Sequence, residues 1–130
     1  MGSALRILLA EDDEITAEMY TLGLERRGWS VAWARDGAEA IRIATLERPA
    51  AILLDIHLPR INGLSVLKAL QVDAKSASTP VLVLTNLSVA DAEALEARRL
   101  GARAILEKTA TPPALLDQIL RLNLSASLEI

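Results

Sequence analysis

The sequence predicts an α/β fold: a doubly wound, five-stranded parallel sheet with helices on both faces. Three observations carry that prediction. Short apolar runs alternate with longer segments of helical period, the pattern of repeated βα units. Several runs are apolar at every position rather than every second one, as parallel strands are when helices cover both faces. At 130 residues, the chain has the size of one domain with one core, burying roughly two thirds of the surface its unfolded form exposes.

In chain order, the first strand is Arg6 to Ala10, and Glu11, Asp12 and Asp13 follow it. Either Asp12 or Asp13 suits the N-cap of the helix about Ile15 to Arg27, because a short acidic side chain there can accept from free backbone N–H groups. Gly28 stands after that helix, where a left-handed cap is wanted. The second strand is Ser30 to Ala34 and its helix Ala38 to Arg48. The third strand, Ala51 to Leu54, runs into Asp55, with Pro59 in the turn and a helix from Leu64 to Gln71. The fourth strand, Val81 to Leu84, ends on Thr85, and its helix, Val89 to Leu100, stops at Gly101. The fifth strand, Ala104 to Leu106, precedes Lys108. Pro112 and Pro113 then sit where a first helical turn needs no N–H donor, opening a helix to Leu122. Residues 4–124 are read as one domain and 125–130 as a C-terminal tail.

Composition excludes several classes. The net charge is -3, and the arginine pairs Arg26–Arg27 and Arg98–Arg99 are isolated at helix ends, so no direct nucleic-acid binding is expected. Although 52% of residues are apolar, no run approaches the ~20 residues of a membrane span, and acids appear too early for a signal peptide. There is no cysteine, hence no disulfide or thiolate metal site, and a cytoplasmic setting is expected.

The conspicuous polar residues fall just after strands. In a parallel sheet those strand ends share one edge, where open α/β folds bind ligands. With strands in the order 2-1-3-4-5, the first and third are neighbours, so Glu11, Asp12 and Asp55 converge. Carboxylates crowded together repel, and a hard divalent cation such as Mg²⁺ relieves that repulsion. Strand spacing of ~4.8 Å puts Thr85 one step and Lys108 roughly two steps from Asp55. A hydroxyl and an ammonium aimed at one carboxylate beside a metal are equipment for phosphoryl transfer to that carboxylate. Singly, each residue has an ordinary explanation: a cap, a turn former, a strand-end hydroxyl, a solvated lysine. Their meeting at one sheet edge carries the functional reading. A mononucleotide-binding or phosphohydrolase domain would instead want glycine, serine or threonine donors after the first strand.

Four stretches resemble the receiver family of response regulators: Ile7-Leu8-Leu9-Ala10-Glu11-Asp12-Asp13, then Leu53 through Gly63 (Leu-Leu-Asp-Ile-His-Leu-Pro-Arg-Ile-Asn-Gly), Pro80 through Thr85, and Gly101-Ala102 with Lys108. The resemblance runs from about Leu5 to Leu122. It implies a flavodoxin-like (βα)5 fold, Asp55 as phosphoacceptor, Thr85 as switch hydroxyl and Lys108 as the phosphoryl-contacting cation. Glu11, Asp12, Asp55 and the main-chain carbonyl of His57 would be Mg²⁺ ligands. The His57 side chain would be a rim residue tuning access. The donor would be a sensor histidine kinase or a histidine phosphotransfer protein, and the chain would be no enzyme beyond its own phosphorylation and dephosphorylation.

The sequence departs from the family pattern at three positions. Thr109 stands where proline usually follows the lysine, so no cis peptide is expected there. Asn86 replaces a very small residue after Thr85. Ile105 occupies the position of an aromatic switch, and the chain has no phenylalanine. These departures define the alternative, a degenerate receiver that binds a partner without being phosphorylated. No effector segment follows Leu122, which fits a stand-alone receiver or part of a longer regulator. The last helix spreads Leu115, Leu116, Ile119, Leu120, Leu122 and Leu124 over an arc of about 200°, wider than the stripe a helix needs to cover a core. With Leu128 and Ile130 trailing, this face is expected to pair with a second copy as a homodimer or to dock a partner, the alternative being that the tail folds back and covers the stripe within one chain.

Overall fold

A computed structural model describes residues 5–73, 77–86 and 91–128. The strands are β1 (Arg6–Ala10), β2 (Ser30–Ala34), β3 (Ala51–Asp55), β4 (Val81–Thr85) and β5 (Ala104–Glu107). The helices are α1 (Glu14–Glu25), α2 (Gly37–Glu47), α3 (Gly63–Val72), α4 (Ala92–Arg99) and α5 (Pro113–Leu128), with a 3-10 turn over Lys108–Ala110. All five strands pair in parallel in the order β2-β1-β3-β4-β5. This is the doubly wound flavodoxin-like fold that the sequence predicts.

Apolarity at successive strand positions has a direct cause, because the sheet separates two cores. Leu8, Ile52, Leu54, Val81 and Val83 pack on one face with Ala40 and Ile43 of α2, Val66 and Leu70 of α3 and Ala94 of α4. Ile7, Leu9, Leu53, Leu82 and Leu84 pack on the other with Ala17, Tyr20 and Leu24 of α1 and Leu116 and Leu120 of α5. Adjacent side chains point to opposite faces and both are dry, so each residue contributes burial worth ~1.5–3 kcal/mol when it is a Leu, Ile or Val.

Two glycines let elements approach closely. A Cβ on Gly23 in α1 would lie 2.4 Å from the Pro113 ring at the start of α5. One on Gly63 would lie 2.4 Å from the Asp55 carbonyl oxygen, and the Gly63 N–H instead donates to Ile56 O at 2.6 Å. That contact folds the β3–α3 connection back over the end of β3.

Several boundaries differ from expectation. β3 and β4 each run one residue further, through Asp55 and Thr85, because these polar residues keep the ladder: Asp55 pairs with Leu84 and Thr85 with Glu107. α5 continues past Leu122 to Leu128, so residues 125–128, read as tail, prolong the helix. α2 and α3 begin one residue early, at Gly37 and Gly63, behind Asp36 and Asn62, whose side chains cap them. The expected domain start at Ala4, the expected helix start at Val89 and the tail residue Ile130 lie outside the described residues. No cis peptide occurs among the described residues.

Candidate functional site

The C-terminal ends of β1 and β3 place the acids. Glu11 follows β1 and is 1% exposed; its N–H donates to Ala34 O at 3.0 Å, and its carbonyl accepts from the Trp33 indole N–H at 2.7 Å. The edge strand β2 therefore holds Glu11 from both sides of its peptide. Asp55 ends β3 and is 6% exposed, with Oδ1 accepting from the His57 N–H at 3.0 Å. Asp12 is exposed and has no such confinement. Glu11, Asp12 and Asp55 each offer an oxygen within 4.8 Å of the others.

Lys108, in the 3-10 turn after β5, ties this cluster together. Its Nζ lies 2.6 Å from Glu11 Oε1 and 3.1 Å from Asp55 Oδ2. Burial alone would lower the lysine pKa, but the bond to Glu11 and the charges of Asp55 and Glu11 outweigh it and hold the ammonium above its ordinary range. Glu11 moves up as well. Burial is the largest influence on it, opposed by the bonds from Lys108 and the Asp13 N–H and reinforced by the charge of Asp55.

The donor set fits a hard divalent cation. Counted as carboxylates, the three acids carry three negative charges against one ammonium, a deficit of two in a largely buried place. Oxygen ligands of this kind suit Mg²⁺, which keeps several of its waters and takes few carboxylates. The cluster floors a cavity of about 510 Å³ whose rim includes Thr16, Met19, His57, Asn86 and Thr109. Asp55 lines this cavity along with Glu11, Asp12 and Lys108.

The other expected site residues sit as follows. Thr85 is fully buried on the same sheet edge, one residue beyond the Asp55–Leu84 pair, and does not line the cavity. His57 is a rim residue, its Nε2 3.2 Å from Glu93 Oε1 on α4. Asn86 is exposed at the cavity mouth. Ile105 is 7% exposed and belongs to the core between the sheet and α4. Of the two candidate caps, Asp13 takes the role: its carboxylate accepts from the Thr16 N–H at 2.8 Å and from the Thr16 hydroxyl, leaving Asp12 free for the cluster.

Sequence reasoning missed Trp33, Glu93, Tyr20 and Thr111. The phenol of Tyr20 donates to Thr111 O at 2.8 Å, and the Thr111 hydroxyl donates to Glu107 O at 2.8 Å. The one available signal was a lone tyrosine at an otherwise apolar helix position.

Comparison with known proteins agrees with this geometry. Residues 7–120 match the family model described as response regulator receiver domain. The probable transcriptional regulatory protein TcrX of Mycobacterium tuberculosis is 33% identical over 91% of the chain, which spans 47% of that protein. Protein PilH of Pseudomonas aeruginosa is 31% identical over 88% of the chain, which covers 93% of it. Among solved structures, a signal receiver domain of a histidine kinase from Syntrophus aciditrophicus superposes with a TM-score of 0.86 at 28% identity, covering 98% of this chain and 95% of that one.

Proposed function

Since this chain belongs to the response regulator receiver family, matched over residues 7–120, we propose that it accepts a phosphoryl group on Asp55 from a phosphohistidine of a sensor kinase or a histidine phosphotransfer protein. The observation that carries the reading is Lys108, whose ammonium reaches both Asp55 and Glu11 from the turn after the edge strand β5. An Asp55 carboxylate oxygen attacks phosphorus, the new O–P bond forms as the donor N–P bond breaks, and the imidazole leaves with that electron pair and a proton from its own protein or water. Lys108 is placed to follow the charge from the carboxylate onto the phosphoryl oxygens. Glu11, Asp12, Asp55 and the His57 carbonyl would hold Mg²⁺, which when bound neutralises negative charge on the transferred group. The Thr85 hydroxyl would meet the phosphoryl group after transfer.

The chain's own catalysis is confined to gaining and losing this group, and its setting is the cytoplasm, where such kinases present their phosphohistidine. Among the described residues no helix is long and apolar enough to cross a membrane. The chain spans half or less of TcrX and PrrA, both described as transcriptional regulatory proteins. DNA binding, where it belongs to the pathway, would therefore reside in other domains. A degenerate receiver is favoured by Thr109, Asn86 and Ile105, and the same experiment separates it. Incubated with Mg²⁺ and a small acyl phosphate, the wild type should gain one phosphoryl group by intact mass and Asp55→Asn none. Equal gain in both, or none in either, would overturn the proposal.

A further inference from the structure

We propose that Tyr20 is a positioning residue for Lys108, its phenol bracing the turn from which the ammonium reaches Asp55; the inference rests on the phosphoacceptor reading above. Tyr20 is the chain's only tyrosine, fully buried in the middle of α1. Its ring packs among Ile7, Leu9, Leu53 and Leu116, which requires no hydroxyl. Yet that hydroxyl crosses 91 positions of sequence to donate to Thr111 O at 2.8 Å, with Lys108 O at 3.5 Å on the same side. A phenol is protonated at neutral pH even when unperturbed, and burial, the largest influence here, moves it further up.

The turn needs such a brace. Lys108, Thr109, Ala110 and Thr111 include neither proline nor glycine, so no ring fixes φ. Within the turn, Thr111 N–H reaches Lys108 O only at 3.4 Å. The stronger tie is the Thr111 hydroxyl on Glu107 O at 2.8 Å, and Thr111 is itself 3% exposed. The phenol faces the carbonyls at both ends of this turn, one belonging to Lys108 itself. A lysine has a long stem, and its ammonium must meet two carboxylates at once; a wandering main chain spreads the ammonium over many positions. Positioning matters steeply in such chemistry, where about 1 Å of misplacement can cost ~10²-fold in rate.

Tyr20→Phe keeps the ring and deletes the donor. With a saturating small acyl phosphate, its maximal phosphorylation rate should fall about five- to twentyfold, short of a full misplacement. Mg²⁺ half-saturation should be no weaker than in the wild type, because Lys108 is not a metal ligand and its loosening frees Glu11. Amide NMR signals of Lys108 to Thr111 should move while those of β1 to β4 stay. An unchanged rate would overturn the inference. A rate loss accompanied in proportion by weaker Mg²⁺ binding and a collapsed melt would also overturn it, since that marks a merely structural tyrosine. If the wild type takes no phosphoryl group, the phosphoacceptor reading fails by itself. The NMR arm then decides the brace, unmoved amides overturning it and moved amides supporting it.

Discussion

Lys108 offsets only part of the charge that three neighbouring acids bring to the end of β1 and β3, and this sets a residue-scale expectation. Mg²⁺ bound to the folded cluster and not to the unfolded chain should stabilise the fold by about 1.4 kcal/mol at ten times its dissociation constant. For a domain of this size that corresponds to a rise of roughly 5 °C in melting temperature. Asp12 is exposed, so Asp12→Ala removes one of the three clustered carboxylates without opening a core cavity, and if that carboxylate holds the ion its melt should be insensitive to Mg²⁺. A melting curve for each protein with and without the ion checks this. The acids and Lys108 were legible in the sequence because their types at strand ends announce their chemistry. Trp33, Tyr20 and Thr111 were not, since each acts on a main-chain carbonyl, and nothing in a residue string marks which carbonyl a side chain will reach.

Helix α1 carries the element-scale expectation. Asp13 has its carboxyl held below the ordinary range by its bonds to the Thr16 hydroxyl and N–H, and those bonds satisfy donors left free at the helix start. A depressed carboxyl contributes stability that is present above its unfolded pKa and is lost as pH falls through the folded one. Asp13→Ala should therefore melt below the wild type at neutral pH, and the gap should close as the pH drops through and below the carboxylate range. Melts at a series of pH values test the sign; a gap that widens in acid would contradict it. Element ends were legible where a cap or glycine punctuates them, as at Gly28 and Gly101, both at positive φ. They were misread where pairing outlasts hydropathy. Asp55 and Thr85 look like loop residues by polarity, yet their backbones continue the ladder and their burial is what aims them.

At the scale of the whole molecule, topology was the most legible property, because only a sheet covered on both sides makes sense of strands such as Ala51–Asp55, buried at every position. Part of the apolar surface of α5 is left over once the sheet is covered. α5 spends Leu116 and Leu120 on the core, while Asp117 and Arg121 turn to Trp29 and the end of α1. Leu115 and Leu122, seven residues apart and thus on one stripe, remain 41% and 71% exposed. On α4, next to β5, Leu95 is 55% exposed. Water-facing leucines along one side of a helix mark a contact surface more often when they align than when they scatter. A second copy presenting the same stripe would be self-complementary, as a two-fold interface requires. The wild type should therefore sediment as a concentration-dependent monomer–dimer mixture. Leu115→Glu and Leu122→Glu should shift it toward monomer while leaving the melt nearly unchanged, because neither side chain is part of the buried core. A wild type that stays monomeric at every concentration would refute the dimer, and variants that dimerise as the wild type does would place the interface elsewhere.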